Sequence, residues 1–170
     1  MTQCSDGFAK HNIDHLSASS INLWSNAPDV WVMQYLHGKR TPMGAAAWRG
    51  ICTEDAVASI LLGTPATEAI DKAVAKFDGR YMIGDEATTR ERERIKPMAT
   101  LAVAELQAYG KPDFPEVEEG ENHQNKVEIT AVGEGWSIPV IGYLDLVFPD
   151  HGLVIDLKTT GRIPTQICLL

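Results

Sequence analysis

Charged side chains interrupt two apolar runs in the C-terminal third of the chain. Asp145 lies in VIGYLDLVF, and Asp156 and Lys158 lie in GLVIDLKTT. Because side chains alternate along a strand, we expect Asp156 and Lys158 to point to one face of a sheet. The turn over residues 149–152 separates the two runs and is expected to bring Asp145 into the region of Asp156.

These three side chains have the chemistry of a hydrolytic metal site. Carboxylate oxygens are hard ligands that suit Mg²⁺ or Mn²⁺. A lysine beside such an ion can position a water molecule and stabilise the charge that develops on a phosphate. The spacing therefore predicts metal-assisted phosphodiester hydrolysis. The alternative is a plain ion pair between Asp156 and Lys158, but both acids have apolar neighbours, and a buried carboxylate without a partner is costly.

Length and charge restrict the class of protein. The chain has 170 residues and a 44% hydrophobic composition, which predicts one domain over residues 1–170 with a substantial core. Its 15 Lys and Arg residues are outnumbered by 23 Asp and Glu residues, for a formal net charge of −8. This balance argues against a protein that coats nucleic acid through bulk charge. It leaves room for an enzyme that grips DNA through a local basic cleft.

Cysteine and histidine spacing gives no metal motif. The three cysteines are far apart and form no CxxC pair, so a zinc finger, a disulfide scaffold and a four-cysteine iron–sulfur cluster are disfavoured. His11 and His15 have a spacing that can bind metal on a helix, but all five histidines are interpreted as surface residues. The N-terminal residues lack the pattern of a signal peptide, and no apolar stretch is long enough to span a membrane. A soluble cytoplasmic protein is expected.

The first 110 residues are predicted to be mainly helical. A cap at Ser17, Ser19 or Ser20 begins a helical segment that Pro28 divides in two. Periodicity and Gly or Pro boundaries predict further helices over 45–62, 65–77 and 85–109, the last with a kink at Pro97.

Two side-chain patterns on these helices have competing interpretations. The aromatic stripe formed by Trp24, Trp31 and Tyr35 is interpreted as core rather than as a platform for stacking bases. The alternating charges of RERERIK, residues 90–96, are interpreted as a solvated face, with contact to a DNA backbone as the alternative.

The pattern becomes strand-like beyond a connector over residues 110–122 that is rich in Pro, Gly and Glu. Three strand candidates joined by short turns follow it: KVEITAV, WSIPVIGYLDLVF and LVIDLKTT. Helices first and antiparallel strands afterwards predict a mixed α/β or α+β fold whose sheet lies within residues 123–160.

The order of these motifs resembles the PD-(D/E)xK nuclease superfamily, in particular its RecB-like and phage-type exonuclease branches. G-x-x-D at 142–145 and D-x-K-T-T at 156–160 resemble the core of these nucleases. Upstream, S-x-S at 17–19 followed by Ala27-Pro28 is similar to the N-terminal segment of RecB-like members, where iron–sulfur members have a cysteine at the Ala27 position. R-G-x-x-x-E at 49–54 resembles the helical motif that supplies the first metal ligand.

The resemblance implies a restriction-endonuclease-like fold, with a helical half packed on a mainly antiparallel or mixed sheet that is incomplete at its C-terminal end. It implies no iron–sulfur cluster, and Mg²⁺ or Mn²⁺ held by Glu54, Asp145, Asp156 and the carbonyl oxygen of Leu157. Lys158 would lie near the attacking water. Contacts to DNA are implied for Arg49, Thr159, Thr160 and, with a spacing shorter than in the family, Gln166.

The implied activity is hydrolysis of DNA in recombination, repair or phage DNA metabolism, by an exonuclease rather than an endonuclease. DNA is the implied substrate, and the expected partners are a recombination or annealing protein and a second copy of the chain.

Two other functions stay open. In the family a helix bearing Gln and Tyr usually follows D-x-K, whereas this sequence ends at Leu170. A truncated, non-catalytic nuclease-fold protein that binds DNA or a partner protein is therefore the first alternative. The second is an unrelated α+β binding domain in which Asp156 and Lys158 form a surface pair. Glu128 is interpreted as an exposed or ion-paired strand residue.

Overall fold

The computed structural model has mixed α+β secondary structure, as the sequence predicts, and describes residues 7–81, 84–116, 123–130 and 137–160. By its internal contacts the chain divides into two units, Met1–Pro42 with Gln124–Leu144 and Met43–His123 with Asp145–Leu170. A single domain over the whole chain stays a prediction. Within the described ranges, no helix combines the length and the apolar character needed to cross a membrane.

The first unit combines a small sheet with short helices. Its sheet has the strand order β1-β3-β2 and consists of β1 (Leu16–Ser17), β2 (Asn125–Ile129) and β3 (Val140–Leu144). β1 runs parallel to β3, whereas β2 runs antiparallel to it. The helices are α1 (Ala18–Asn26) and α2 (Pro28–Trp31), the second continuing into a π-helical turn over Val32–Leu36. The sequence did not predict β1, because two residues are too few to carry a strand pattern.

Serine side chains begin α1 as predicted. The Ser20 N–H donates to Oγ of Ser17 at 3.1 Å, and the Ser17 N–H donates to Oγ of Ser20 at 2.9 Å. This reciprocal cap satisfies two donors that the first turn would otherwise leave unpaired. The helix ends before Pro28, which confirms the predicted division.

The aromatic stripe is core only in part. Trp31 is buried at 8% exposure, and its ring stacks on Tyr35 with the ring centroids 5.0 Å apart. The Trp24 ring meets the Trp31 ring edge-on, with the ring centroids 5.2 Å apart, but Trp24 is 52% exposed. The core interpretation is therefore confirmed for Trp31 and wrong for Trp24, which lies at the rim of this cluster.

Helices supply most of the core in the described part of the second unit. They are α3 (Ala45–Leu61), α4 (Ala66–Asp78), α5 (Glu86–Glu93) and α6 (Ile95–Leu106), and an antiparallel pair consists of β4 (Leu146–Phe148) and β5 (Leu153–Ile155). Phe77 of α4, Ile95 of α6 and Phe148 of β4 are almost fully buried in one cluster with Val57 of α3. This shared core attaches β4 and β5 to the helices.

The break between α5 and α6 falls at Arg94, one turn before Pro97. Pro97 has no N–H to donate to the carbonyl of Glu93, and its ring would collide with that carbonyl in a continuous helix. The predicted kink is confirmed, but it lies in the turn that precedes the proline.

The strands are shorter than predicted. A bend at Asp145 divides the second candidate, so that its two parts, β3 and β4, belong to different sheets. The third candidate ends as a strand at Ile155, so Asp156 and Lys158 follow β5 rather than lie within it. Aspartate is disfavoured inside strands, which agrees with the strand boundary found at both acids. Residues 131–132 of the first candidate lie outside the described residues.

Candidate active site

Helix α3 presents Gly50 and Glu54 on one face, because residues four apart lie one above the other along a helix. A Cβ atom at Gly50 would lie 3.0 Å from Oγ1 of Thr159, so only glycine leaves room for this approach without a shift of the neighbouring atom. The segment that follows β5 therefore lies directly against the face of α3 that carries Glu54.

Asp145 is attached to the same segment. Its Oδ2 atom accepts a hydrogen bond from the backbone N–H of Leu157 at 2.7 Å. Leu146 and Ile155 are the last paired residues of the β4–β5 ladder, so the carboxylate satisfies a backbone donor just beyond the end of the ladder. An ionised acceptor makes such a bond shorter and stronger than a neutral one. The structure thus places Asp145 in the region of Asp156, as the turn predicts.

Asp156 and Lys158 form an ion pair beside this contact. Nζ of Lys158 donates to Oδ1 of Asp156 at 2.7 Å, and this hydrogen bond raises the pKa of Lys158. The Lys158 side chain is 74% exposed and that of Asp156 is 61% exposed, so the expectation that Asp156 is a buried carboxylate is wrong: it lies beyond the end of β5, where solvent reaches it. An ion pair this exposed contributes about 0–1 kcal/mol of stability, so a metal ion or a substrate group can separate the two side chains at small cost.

Glu54 lies within electrostatic range of all three residues. Burial is the main cause that raises the pKa of its carboxyl group from 4.5 to about 7; the negative charges of Asp145, of the neighbouring Asp55 and of Asp156 add to the rise, and Lys158 opposes it. The first acidic residue of the sequence motif and the later D…D-x-K set therefore share one neighbourhood. That neighbourhood holds an excess of negative charge.

The donor set suits a hard divalent cation in its chemistry. Carboxylate oxygens are the ligands that Mg²⁺ and Mn²⁺ prefer, and a cation would relieve the repulsion that raises the pKa of Glu54. In the conformation described, however, no group of three or more His, Cys, Asp or Glu side chains among the described residues is arranged to hold a metal ion. Asp156 turns toward Lys158, and Asp145 turns toward the Leu157 N–H.

The residues expected to contact DNA have different surroundings. Arg49 is 3% exposed, and its Nη2 atom donates to the carbonyl oxygen of Thr159 at 3.0 Å. Its other terminal nitrogen donates to Glu91 of α5, so the guanidinium is engaged within the protein. Thr159 is half-buried and Thr160 is exposed. Gln166 lies outside the described residues.

The sequence interprets the charged run at residues 90–96 as a solvated face, but part of it forms ion pairs with the helices α3 and α4. Arg92 makes two hydrogen bonds to Asp78 of α4, at 2.7 and 2.8 Å, and Glu91 bridges two arginines. Alternating charges identify an ion-paired helix face, but the sequence contains no signal that Glu91 reaches α3.

Two further residues concern the sequence motifs outside this site. Glu128 forms an exposed ion pair with Lys126 on β2, which confirms its interpretation as a paired strand residue. Cys52 is a free thiol in the core, whereas Cys4 and Cys168 lie outside the described residues.

Comparisons of this chain with protein-family models, with curated proteins and with solved structures find no match.

Proposed function

We propose that this chain is a divalent-metal-dependent deoxyribonuclease with a restriction-endonuclease-like fold of the PD-(D/E)xK type. The observation that carries the proposal is that the segment after β5, with Asp156 and Lys158, lies against the face of α3 that carries Glu54, while Asp145 accepts a hydrogen bond from the backbone of that segment. These residues come from distant parts of the sequence, and their order along the chain is that of the nuclease motif. Three neighbouring carboxylates with one lysine have the composition of a phosphodiester-hydrolysing site.

Each residue has a distinct role in this proposal. Glu54, Asp145 and Asp156 would hold Mg²⁺ or Mn²⁺, with the carbonyl oxygen of Leu157 as a further ligand. The cation supplies positive charge at the phosphate and lowers the pKa of a water molecule. Lys158, released from Asp156, would orient that water and stabilise negative charge on the phosphate.

The mode of action rests on the motif resemblance. It favours an exonuclease over an endonuclease, acting in the cytoplasm in recombination, repair or phage DNA metabolism beside a recombination or annealing protein. Because its net charge is −8, the chain would bind DNA through local contacts rather than through bulk charge. Thr159 and Thr160 are the candidates for these contacts, since they directly follow Lys158 in the sequence.

Calorimetric titration with Mn²⁺ at about pH 8, where Glu54 is ionised, tests the metal site. We expect the wild type to bind and Asp156→Ala to bind at least about tenfold more weakly, because one charged ligand is lost. Asp150→Ala is the matched control, since Asp150 is an exposed aspartate in the turn between β4 and β5. Equal affinities for all three proteins would contradict the proposed site.

Hydrolysis of end-labelled linear DNA in the presence of Mg²⁺ tests the reaction. We expect Asp156→Ala and Lys158→Ala to abolish cleavage while far-UV circular dichroism stays that of the wild type. Full activity in the double variant Asp156→Ala/Lys158→Ala would refute the assignment of these residues.

A second candidate function is a non-catalytic nuclease-fold module that binds DNA or a partner protein. It is favoured by one observation, the exposed Asp156–Lys158 ion pair, which needs no metal to account for it. This candidate predicts that the wild type binds neither Mn²⁺ nor Mg²⁺ and cleaves no DNA, yet retains a DNA- or protein-binding activity that Asp156→Ala leaves unchanged.

A further inference from the structure

Arg49 is the one charged residue among those described that is classed as buried. Its guanidinium donates to Glu91 of α5 and to the carbonyl oxygen of Thr159, and it approaches Oγ1 of Thr159 at 3.5 Å. The second oxygen of Glu91 accepts a hydrogen bond from Arg94 at 2.9 Å. One side chain of α3 thus joins two segments that are distant from it in the sequence.

Stability alone gives a poor account of this contact. A buried ion pair contributes little net stability compared with apolar side chains of the same size. The Nε donor of Arg49 is also buried without a hydrogen-bond partner among the described residues, which is costly. What the guanidinium does fix is the backbone directly after Lys158.

The backbone on both sides of Lys158 is held. The N–H of Leu157 donates to Asp145, and the carbonyl oxygen of Thr159 accepts from Arg49. Gly50 permits the close approach of Thr159 to α3. Lys158 lies between these two attachment points, so its backbone and that of Asp156 have little freedom to move away from Glu54.

We propose that Arg49 is a positioning residue, which locks residues 156–159 against α3 and so keeps Asp156 and Lys158 opposite Glu54. This inference rests on the proposed function, because the positioning of Asp156 and Lys158 matters only if they form an active site with Glu54. The attachment of residues 156–159 to α3 is a property of the backbone, and it can be measured without metal or DNA.

Three variants separate the lock from general stability. Arg49→Lys keeps a positive charge near Glu91 but lacks the planar fork that reaches two acceptors. Arg49→Met/Glu91→Met replaces the buried pair with apolar side chains, an exchange that proteins often tolerate without loss of stability. Arg92→Lys is the matched control, because the Arg92 guanidinium also makes two hydrogen bonds, both to Asp78 on α4, and none to residues 156–159.

Two measurements are made on each folded variant, namely hydrogen exchange of the Leu157 amide by NMR and titration with Mn²⁺ alone. In Arg49→Lys and in the double variant we expect Leu157 exchange to accelerate at least about tenfold, because the segment opens more often. We expect Mn²⁺ affinity to fall about 10–100-fold, as for other residues that orient metal ligands. Arg92→Lys should change neither quantity.

The outcomes distinguish this inference from the proposed function. If folded Arg49 variants keep the wild-type exchange rate at Leu157 and the wild-type affinity for Mn²⁺, the positioning role of Arg49 is refuted. The proposed metal site is then unaffected. Accelerated exchange in a protein whose wild type binds no Mn²⁺ would overturn the metal site and support the lock. A double variant that does not fold would overturn the inference, because Arg49 would then serve the fold as a whole.

Discussion

Replacement of Glu54 by glutamine should stabilise the protein at alkaline pH and have a much smaller effect near pH 5. Burial, and to a smaller extent the charges of Asp145, Asp55 and Asp156, raise the pKa of Glu54 from 4.5 to about 7. Between these two values the folded chain holds a proton that the unfolded chain has released. Raising the pH through this window therefore favours the unfolded wild type, and glutamine, which does not ionise, removes the effect.

The magnitude follows from the pKa. A rise from 4.5 to about 7 corresponds to at most about 3 kcal/mol, at 1.36 kcal/mol per pH unit. Glu54 is only half-buried, so solvent screens part of this energy, and we expect about 1–2 kcal/mol. In a chain of this size about 1 kcal/mol changes the melting temperature by roughly 2–4 °C. The expected gain for Glu54→Gln above pH 7.5 is therefore about 2–8 °C.

Thermal unfolding followed by far-UV circular dichroism, with EDTA present, measures this gain at about pH 5 and about pH 8. Glu68→Gln is the matched control, since Glu68 makes an exposed ion pair with Lys72 within α4. Loss of this ion pair should lower the free energy of unfolding by no more than about 0.5 kcal/mol at either pH.

The pH dependence decides the outcome, rather than the stability at one pH. A gain of equal size at both pH values would mean that glutamine improves packing and that neither burial nor neighbouring carboxylates raise the pKa of Glu54. No gain at about pH 8 would refute the reasoning in the same way. Either result would remove the electrostatic support for the nuclease proposal.

Three further predictions concern single contacts. Asp145→Ala should lower the free energy of unfolding in urea by about 1–3 kcal/mol, because the Leu157 N–H loses its acceptor, whereas Asp145→Asn, which keeps one, should cost less; equal losses would contradict this contact. Ser17→Ala should cost about 1 kcal/mol in the same assay through loss of the α1 cap, and an unchanged value would argue against that cap. Cys52 is 0% exposed, and burial raises the pKa of its thiol to about 11. With the other two cysteines replaced by serine, the native protein should therefore not react with Ellman's reagent at about pH 8 until it is denatured, and rapid reaction would contradict the burial.

Local features of the fold were predictable because their causes lie within a few residues. The cap at Ser17, the division at Pro28 and the extent of α3 each depend on side chains next to the backbone groups they affect. The same holds for the mixed α+β class, which follows from the change of period along the chain. The strand ends were less predictable, because they depend on where Asp145 and Asp156 find partners.

The sequence selects the candidate site as a set of residues, whose role stays a prediction, but it does not predict their arrangement. The motif order selects Glu54, Asp145, Asp156 and Lys158, and these four do share one electrostatic neighbourhood. The contacts that assemble them join residues with no local relation. Arg49, for example, is interpreted from the sequence as a DNA contact, yet it is buried against Thr159, and no periodicity carries that information.

The long separation of these contacts along the chain has a consequence for folding. Arg49 and Thr159 are 110 positions apart, whereas α3 packs on the neighbouring helix α4. Contacts between near neighbours form quickly, and contacts that close long loops form late. During synthesis the helices can fold on emergence from the ribosome, but residues 145–160 must be made before the carboxylates meet. The candidate site would thus stay unassembled in a nascent chain until the segment that completes the core has docked.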